Sequence, residues 1–548
     1  MALITVNTKD LLKLVGKSMP LEKLENSLAQ FGVVPEKVSE KECELEVFPN
    51  RPDMLSVEGV ARSFAGFIGA KRGYIKYDVH KSDYSVEVED SVKKIRPEIV
   101  CAVVKDAKLT DETVTSLMQL QEKLHLTHCR KRAKASIGVY DLDSIKFPIS
   151  YKAEKPEFSF IPLEFKKKLT MKSMLKEHPK GRDYGWIIEK LPKYPLLIDS
   201  KGMVLSMPPI INSEDSKVTK NTKNLFIDVT GTDKKTVNEV LNIVVCALAD
   251  RGGKIYGVKL NGLDKKLTTP QMEPWKNKVS IDYINKVLGL DINAREAVIL
   301  LERMRFNASS DKDGMIEVEI PPYRTDIMHP IDLVEDVAIM YGYDNIEPHL
   351  PEIATIGSEK PIETPSRKLR ELMIGSGYQE VLTYVLTNKE SLFRKMNMRE
   401  TAVAETLNHK SAEYYACRNW LLPGIMNVLF ANRHNSFPQK IFELGECITL
   451  SNDETGTKTT RKICGAESHE KANLTGMKSV VEEILKNMGV RYEIKQLSHP
   501  SFIETRCGEI IINGKHAGFL GEIHPQVLNN FNIEMPVVAF EIDAEVFI

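Results

Sequence analysis

No two cysteines of this chain form a CxxC pair. The eight, Cys43, Cys101, Cys129, Cys246, Cys417, Cys447, Cys464 and Cys507, lie scattered through 548 residues. That argues against a zinc ribbon and a redox dithiol and suits a reducing compartment, where the thiol acts as a small apolar group. An excess of either charge is also missing: 75 Lys and Arg stand against 76 Asp and Glu, a formal net charge of −1. The basic surplus usual in nucleic-acid binders is therefore absent, and any RNA contact has to come from a local patch. Long apolar runs are lacking too. The most apolar, Ile243 to Leu248, is far short of the roughly 20 residues that span a bilayer. The start Met1-Ala2-Leu3-Ile4-Thr5-Val6-Asn7 has no basic region ahead of an apolar one, so no secretory signal is read. A cytoplasmic protein without membrane contact is expected. There is no GxxxxGK[ST], GxGxxG or HExxH pattern, and no Ser-His-Asp set announces itself. Nothing offers a recognisable loop for ATP.

What is present is ordinary globular composition, 42% hydrophobic and 28% charged, in a length that suggests three to five domains at roughly 100–200 residues each. Strand and helix mix along the chain. Ile4-Thr5-Val6 reads as a strand, and Leu21, Leu24 and Leu28 keep helical spacing up to Gly32. The strand Leu45-Glu46-Val47-Phe48 leads into the polar loop Pro49-Asn50-Arg51-Pro52-Asp53, after which Ser56 caps a helix. Later, Asn293 and Glu296 are spaced as a capping box, and Asp311 to Gly314 reads as a hairpin turn. The expected partition is 1–90, 91–266, 267–348 and 349–548, with Pro270 and Pro274 as linker signals.

Three constellations carry chemistry. In the first, Pro330 opens a helix on which Asp332, Glu335 and Asp336 fall at i, i+3 and i+4, with Asp326 just before it. Three carboxylates on one face, with Asp326 able to fold back toward them, suit a hard cation such as Mg²⁺. Acidic residues in a first turn equally complement the helix dipole. In the second, Asp228 and Thr230 alternate onto one face of a strand, and Asn212-Ser213 supplies further short polar groups. Together they suit a pocket that holds a ligand hydroxyl or positions a water; a strand end followed by a turn would look the same. In the third, Arg130-Lys131-Arg132-Ala133-Lys134 is either a phosphate contact or a solvated basic loop.

Four stretches, in order, resemble the β subunits of phenylalanyl-tRNA synthetases of the archaeal and eukaryotic cytosolic type. Asn50-Arg51-Pro52-Asp53-Met54-Leu55-Ser56-Val57-Glu58-Gly59 resembles the first domain of that family. Asn224 to Asp233 resembles its editing domain. Pro321-Pro322-Tyr323-Arg324-Thr325-Asp326-Ile327, Asp332 to Asp336 and Tyr341-Gly342-Tyr343 resemble its small metal-associated domain. Arg418-Asn419-Trp420-Leu421-Leu422-Pro423-Gly424 and Phe442-Glu443-Leu444-Gly445 resemble its catalytic-like domain. The fold implied is α+β and α/β multidomain. It has a small N-terminal α/β domain, a central α+β editing domain, a small winged-helix-like domain and a degenerate class II synthetase-like antiparallel sheet with helices.

The resemblance implies an (αβ)₂ enzyme that charges tRNA(Phe), with ATP bound by the α subunit and Mg²⁺ as cofactor. The β subunit supports charging and hydrolyses mischarged Tyr-tRNA(Phe). Asn212, Ser213, Asp228 and Thr230 would line the editing pocket, with Ser206 a weaker candidate, and Asp326, Asp332, Glu335 and Asp336 would hold the metal. A site that rejects Tyr from Phe has to recognise one hydroxyl, which hydrogen-bonding groups do far better than an apolar wall. No GxGxxxR-like or GxGxxR-like element is found where an active class II site needs its last arginine. Members of the bacterial type carry an inserted oligonucleotide-binding domain and a C-terminal anticodon-binding domain; this chain reaches Asn50-Arg51-Pro52-Asp53 too early for the first and ends at Ile548. The competing readings are a free-standing aminoacyl-tRNA deacylase, against which the C-terminal matches weigh, and a non-enzymatic RNA-binding scaffold, against which the near-neutral charge weighs.

Overall fold

The computed structural model describes residues 2–219, 221–262, 266–353 and 355–548. Met1, where the start was read for a signal, and 263–265, at the end of the expected central segment, lie outside the described residues. The chain divides into two compact units, Met1–Leu350 and Pro351–Ile548.

The first unit opens as the apolar spacing predicts. Strand Ala2–Asn7 is followed by helices Thr8–Val15 and Leu21–Phe31, strands Val34–Val38 and Glu42–Val47, and helix Val57–Phe67. Gly16 and Gly32 end the first two helices at φ 81° and 92°, a conformation that costs glycine little. Ser56 caps the third, its Oγ accepting from Gly59 N at 3.2 Å. The loop before it is not a solvated one. Arg51 and Asp53 are buried and form a two-pronged pair, Nε to Oδ1 and Nη2 to Oδ2, each at 2.9 Å.

An eleven-stranded sheet fills the middle of the unit. Its main path runs Ile211–Asn212, Val204–Met207, Tyr194–Ile198, Ile149–Glu154, Ser85–Val88, Lys254–Asn261, Glu98–Lys105, Leu225–Gly231 and Ala135–Asp141. Leu225, Ile227 and Val229 face helix Lys234–Asp250 in the main core, while Phe226 joins a second cluster on the other side. The period-two alternation thus puts Asp228 and Thr230 with Phe226, away from the helix. The sheet curls until its two ends approach: Tyr140 Oη lies 2.7 Å from Ser206 Oγ, and Asn212 Nδ2 donates to Val139 O at 3.4 Å.

The remaining part pairs strand Met315–Ile320 with Trp275–Ser280 and Asn307–Ser310 beneath helices Ile281–Leu288, Ala294–Arg303 and Pro330–Tyr341. The capping box at Asn293 and Glu296 is present, with bonds of 3.0 and 2.9 Å. One continuous core, from Ile4 through Val244 and Ile284 to Met340, joins all three parts of the unit.

The second unit is built on a seven-stranded sheet in the order Gln379–Glu380, Gln439–Leu450, Thr457–Ser468, Val537–Asp543, Lys515–Ile523, Phe502–Ile512 and Tyr492–Gln496. All pairs are antiparallel except the first. Its two core clusters hold helices Glu363–Gly375, Leu422–Ala431, Leu474–Asn487 and Pro525–Phe531. Among the described residues no helix is long and apolar enough to cross a membrane.

Candidate functional site

Where the ends of the central sheet meet there is a cavity of about 390 Å³. Ser206, Asn212, Ser213 and Asp228 line it, so three of the four principal residues predicted for a pocket converge, together with the weaker candidate. The fourth, Thr230, is not in the lining. Its Oγ1 accepts from Arg96 Nε at 3.1 Å, and its carbonyl accepts from Arg96 Nη2 at 2.7 Å. Arg96 is fully buried and also donates to Ser136 Oγ and to the Arg132 carbonyl, each at 3.2 Å. Thr230 shares the face of Asp228 as expected, but the guanidinium claims it. Burial lowers the Arg96 pKa to about 10.

Asp228 sits in mid-strand opposite Cys101 and Gly138. Tyr140 Oη is 2.5 Å from its Oδ1 and 2.7 Å from Ser206 Oγ. One phenolic proton cannot serve both neighbours. With Asp228 ionised, Tyr140 donates to it and accepts from Ser206; with Asp228 protonated, the chain reverses. Burial raises the Asp228 pKa to about 7, against the Tyr140 hydrogen bond and the charge of Arg96, which pull it down. Burial likewise lifts the Tyr140 pKa well above its ordinary value. A Cβ at position 138 would collide with both Tyr140 Oη and Asp228 Oδ1, so this contact requires glycine there.

The rest of the wall is mixed. Val114, Leu117, Met118, Ile137 and Val139 supply apolar surface, and Glu122, Glu164, Lys180 and Lys217 supply charge. Ser216 Oγ is buried and lines the cavity without a hydrogen-bond partner among the described residues. Among the described residues the Asn212 side chain makes one long bond, to Val139, whereas Ser213 Oγ is engaged by Ile161 O at 3.2 Å and Asp215 N at 3.3 Å. The sequence reading missed Tyr140, Arg96 and Ser216. Gly138 inside the strand-like run Ser136 to Tyr140 was a usable signal, since a glycine in a strand interior often marks a close approach.

Three of the four carboxylates expected to bind metal take other partners. Arg324 forks onto Asp326, Nε to Oδ1 at 2.9 Å and Nη2 to Oδ2 at 2.7 Å, and Nη2 also reaches Asp336 Oδ2 at 2.7 Å. Asp332 Oδ2 accepts from the amides of Met328 and His329, each at 2.7 Å, as the acidic half of a capping box. Glu335 is exposed. Burial pushes Asp326 up, but Arg324 outweighs it and holds the group below its usual value; on Asp336 burial prevails and the pKa is raised. Among the described residues no group of three or more His, Cys, Asp or Glu is placed to hold a metal ion. The spacing did put three acids on one helical face, but Arg324 already supplies the cation between Asp326 and Asp336. As arranged here the set does not fit Mg²⁺.

The basic cluster also divides. Arg132 is buried against the Tyr184 ring, 4.3 Å from its centroid, and donates to the carbonyls of Pro209 and Ile210 at 3.2 and 2.9 Å. It holds the cavity wall and is not a solvated charge. Arg130 and Lys131 remain exposed.

In the second unit the sequence motifs form internal pairs. Arg418 Nη1 meets Glu443 Oε1 at 2.6 Å, and Glu443 Oε2 accepts from Thr383 Oγ1 at 2.7 Å. Glu541 accepts from the amides of Leu421 and Leu422 at 2.9 and 3.0 Å and pairs with Lys462 at 3.1 Å.

Three family models match the chain: a B3/4 domain over residues 93–242, a tRNA synthetase B5 domain over 277–343 and a phenylalanyl tRNA synthetase beta chain CLM domain over 346–544. The Pyrococcus abyssi phenylalanine–tRNA ligase beta subunit is 43% identical over 98% of each chain. That of Methanococcus vannielii is 43% identical over 99% of this chain and 100% of its own length. An N-terminal fragment of the Pyrococcus horikoshii phenylalanyl-tRNA synthetase beta subunit, a solved crystal structure, superposes with a TM-score of 0.61 at 42% identity, covering 62% of this chain and 99% of the fragment. On the strength of near-full-length identity and of three domain matches in order, the chain belongs to the phenylalanine–tRNA ligase beta subunit family.

Proposed function

We propose that this chain is the non-adenylating subunit of a phenylalanine–tRNA ligase and that the cavity around Asp228 hydrolyses tyrosine wrongly attached to tRNA(Phe). In this reading 91–266 is the editing part, 1–90 and 267–348 brace it, and 349–548 serves assembly with a separate α subunit, in an (αβ)₂ complex in the cytoplasm. ATP and Mg²⁺ belong to the charging reaction, with ATP held by the α subunit, and no step is assigned to either here. Exposed Leu382, Tyr384, Leu386 and Tyr414 support a protein partner for the second unit, because a monomer rarely leaves a patch of large apolar groups in water.

The observation that carries the editing reading is the polar set lining the cavity, the chain Ser206–Tyr140–Asp228 with Asn212 beside it, in walls that also supply apolar surface. The apolar groups receive an aromatic ring, and a polar group of the lining pairs with the one oxygen that separates tyrosine from phenylalanine. A water attacking the ester carbonyl passes its proton to Ser206, Ser206 to Tyr140 and Tyr140 to ionised Asp228. As the ester bond breaks, the proton held by Asp228 returns along the same chain to the departing ribose oxygen, and the second water proton leaves with the product carboxylic acid, so the balance closes and Asp228 is ionised again. Asp228 serves as the proton-accepting end, Tyr140 and Ser206 as the relay, Asn212 and Ser213 as the shape of the wall, and Thr230 as the residue that positions Arg96. The test is clearance of Tyr-tRNA(Phe) by the full chain co-purified with its α subunit. Asp228→Asn is expected to lower clearance about 100-fold while charging with phenylalanine persists. Unchanged clearance would remove Asp228 from the chemistry.

A further inference from the structure

The formal charge of the chain is close to zero, yet residues 163–193 hold nine Lys or Arg against four Asp or Glu. Lys166, Lys167, Lys168, Lys172, Lys176 and Arg182 are all exposed, and none has a carboxylate partner among the described residues. Elsewhere in the molecule exposed lysines are commonly paired, as Lys276 with Glu317 at 2.6 Å and Lys217 with Glu214 at 3.2 Å.

This basic lobe is fastened to the cavity. Leu163 N donates to Asn212 O at 2.9 Å, Glu214 N donates to Ile161 O at 3.1 Å, and Pro162 bridges Ser213. Leu163, Glu164, His178 and Lys180 belong to the cavity lining itself. The lobe has its own small core, in which Leu169, Met171, Met174 and Tyr184 pack with Val204, Met207 and Ile210. That core sets where the charges stand relative to the wall. Trp186 lies on the same lobe, 55% exposed, with its indole N–H turned back to Asp183 O at 3.1 Å, which leaves an aromatic ring in solvent as a stacking surface.

We infer that residues 163–193 form the RNA-binding face that grips the phosphates of the single-stranded tRNA 3′ end and presents its esterified nucleotide to the cavity. The inference rests on the editing reading above for the identity of the RNA. Unpaired lysines in a row are point charges that suit phosphates spaced along a strand, and releasing the RNA's counterions gives the binding energy. An acidic protein surface would be matched by the same charges; the attachment to the cavity wall, where an RNA end has to arrive, favours the nucleic acid.

The experiment measures binding of tRNA(Phe) transcript, and turnover of Tyr-tRNA(Phe), by the full chain complexed with its α subunit, across a salt series. Lys166→Ala/Lys167→Ala/Lys168→Ala is expected to weaken binding at least about tenfold and to flatten log Kd against log salt by about 2, from three lost single-strand phosphate contacts. KM should rise with kcat nearly unchanged. Lys172→Ala/Lys176→Ala provides a second, independent variant. An unaltered Kd and slope in both variants would overturn the inference. So would loss of α-subunit co-purification with RNA binding intact, which would assign the lobe to a protein partner. Arg130→Ala/Lys131→Ala producing the larger loss would move the RNA face to that turn. Asp228→Asn separates the two ideas: lost turnover with normal Kd upholds the cavity whatever the lysines do, and normal turnover refutes the editing reading while the salt slope still reports on the lobe.

Discussion

In the central sheet, Arg96 and Asp228 are buried with no direct bond between them, and among the described residues the carboxylate is answered by Tyr140 alone, at the wall of a cavity. In the C-terminal sheet, Arg418 and Glu443 are buried face to face, and Glu541 is answered by two amides and Lys462. Both sheets bury charge at a cost that has to be offset. The second offsets it internally and is finished. The first places a sparsely paired carboxylate at the wall of a cavity, and that combination is what marks a place for a ligand. The difference teaches that in this chain buried charge alone does not locate a site; a sparsely paired charge beside a cavity does.

The contrast is sharpest if the finished pair is broken. Glu443→Ala leaves the Arg418 guanidinium buried and unpaired, and a loss of about 3–5 kcal/mol is expected, read by denaturant unfolding of the full chain. Asp228→Asn should behave in the opposite sense. The folded pKa of about 7 lies above the ordinary carboxylate value of 3.8, so the native state binds the proton more tightly than the unfolded chain. The stability this group contributes is full below pH 4 and is lost as pH rises through 7. The asparagine variant should therefore gain on wild type as pH is raised from 5 to 8, by up to about 3 kcal/mol. A pH-independent difference would mean that Asp228 titrates near its ordinary value. Thr230→Val removes one bond from Arg96 and one with Ser136, which lines the cavity, and about 1–2 kcal/mol of stability together with a modest fall in clearance is expected. A fall as large as that of Asp228→Asn would place Thr230 in the chemistry. The smallest effect concerns the acidic helix. Because Arg324 already occupies the carboxylates of Asp326 and Asp336, chelation or added Mg²⁺ should shift the Tm of the isolated chain by less than about 1 °C, and a larger shift would require Arg324 to give way to a cation.

Much of this arrangement was legible in local spacing. The alternation of Asp228 with Thr230, the caps at Ser56 and Asn293 and the shared face of Asp332, Glu335 and Asp336 are periodicities, and the structure keeps them. What spacing could not give is which distant group answers each residue. Tyr140 is 88 residues from Asp228 and Arg96 is 134 from Thr230; those contacts exist because strands distant in sequence pair side by side, and the contact of Tyr140 with Ser206 because the sheet curls until its ends meet. Arg324, by contrast, stands two residues from Asp326. It was in plain view, but a carboxylate motif read for a cation did not weigh a guanidinium as that cation. Arg132 in its basic run was misread for the opposite reason: Tyr184 and the Pro209 and Ile210 carbonyls, which bury it, lie far along the chain.

Gly138 turns the cavity into something that can be switched off from within. Its backbone is not among the glycines held at positive φ, so alanine is conformationally admissible, and its strand neighbours place the new methyl between Tyr140 Oη and Asp228 Oδ1. A single methyl group would then act as a tethered wedge that keeps two oxygens apart while every side chain of the cavity wall stays in the protein. On the proposed editing reading, a cell carrying that wedge proofreads poorly, which makes position 138 a handle for asking how much mistranslation an organism tolerates.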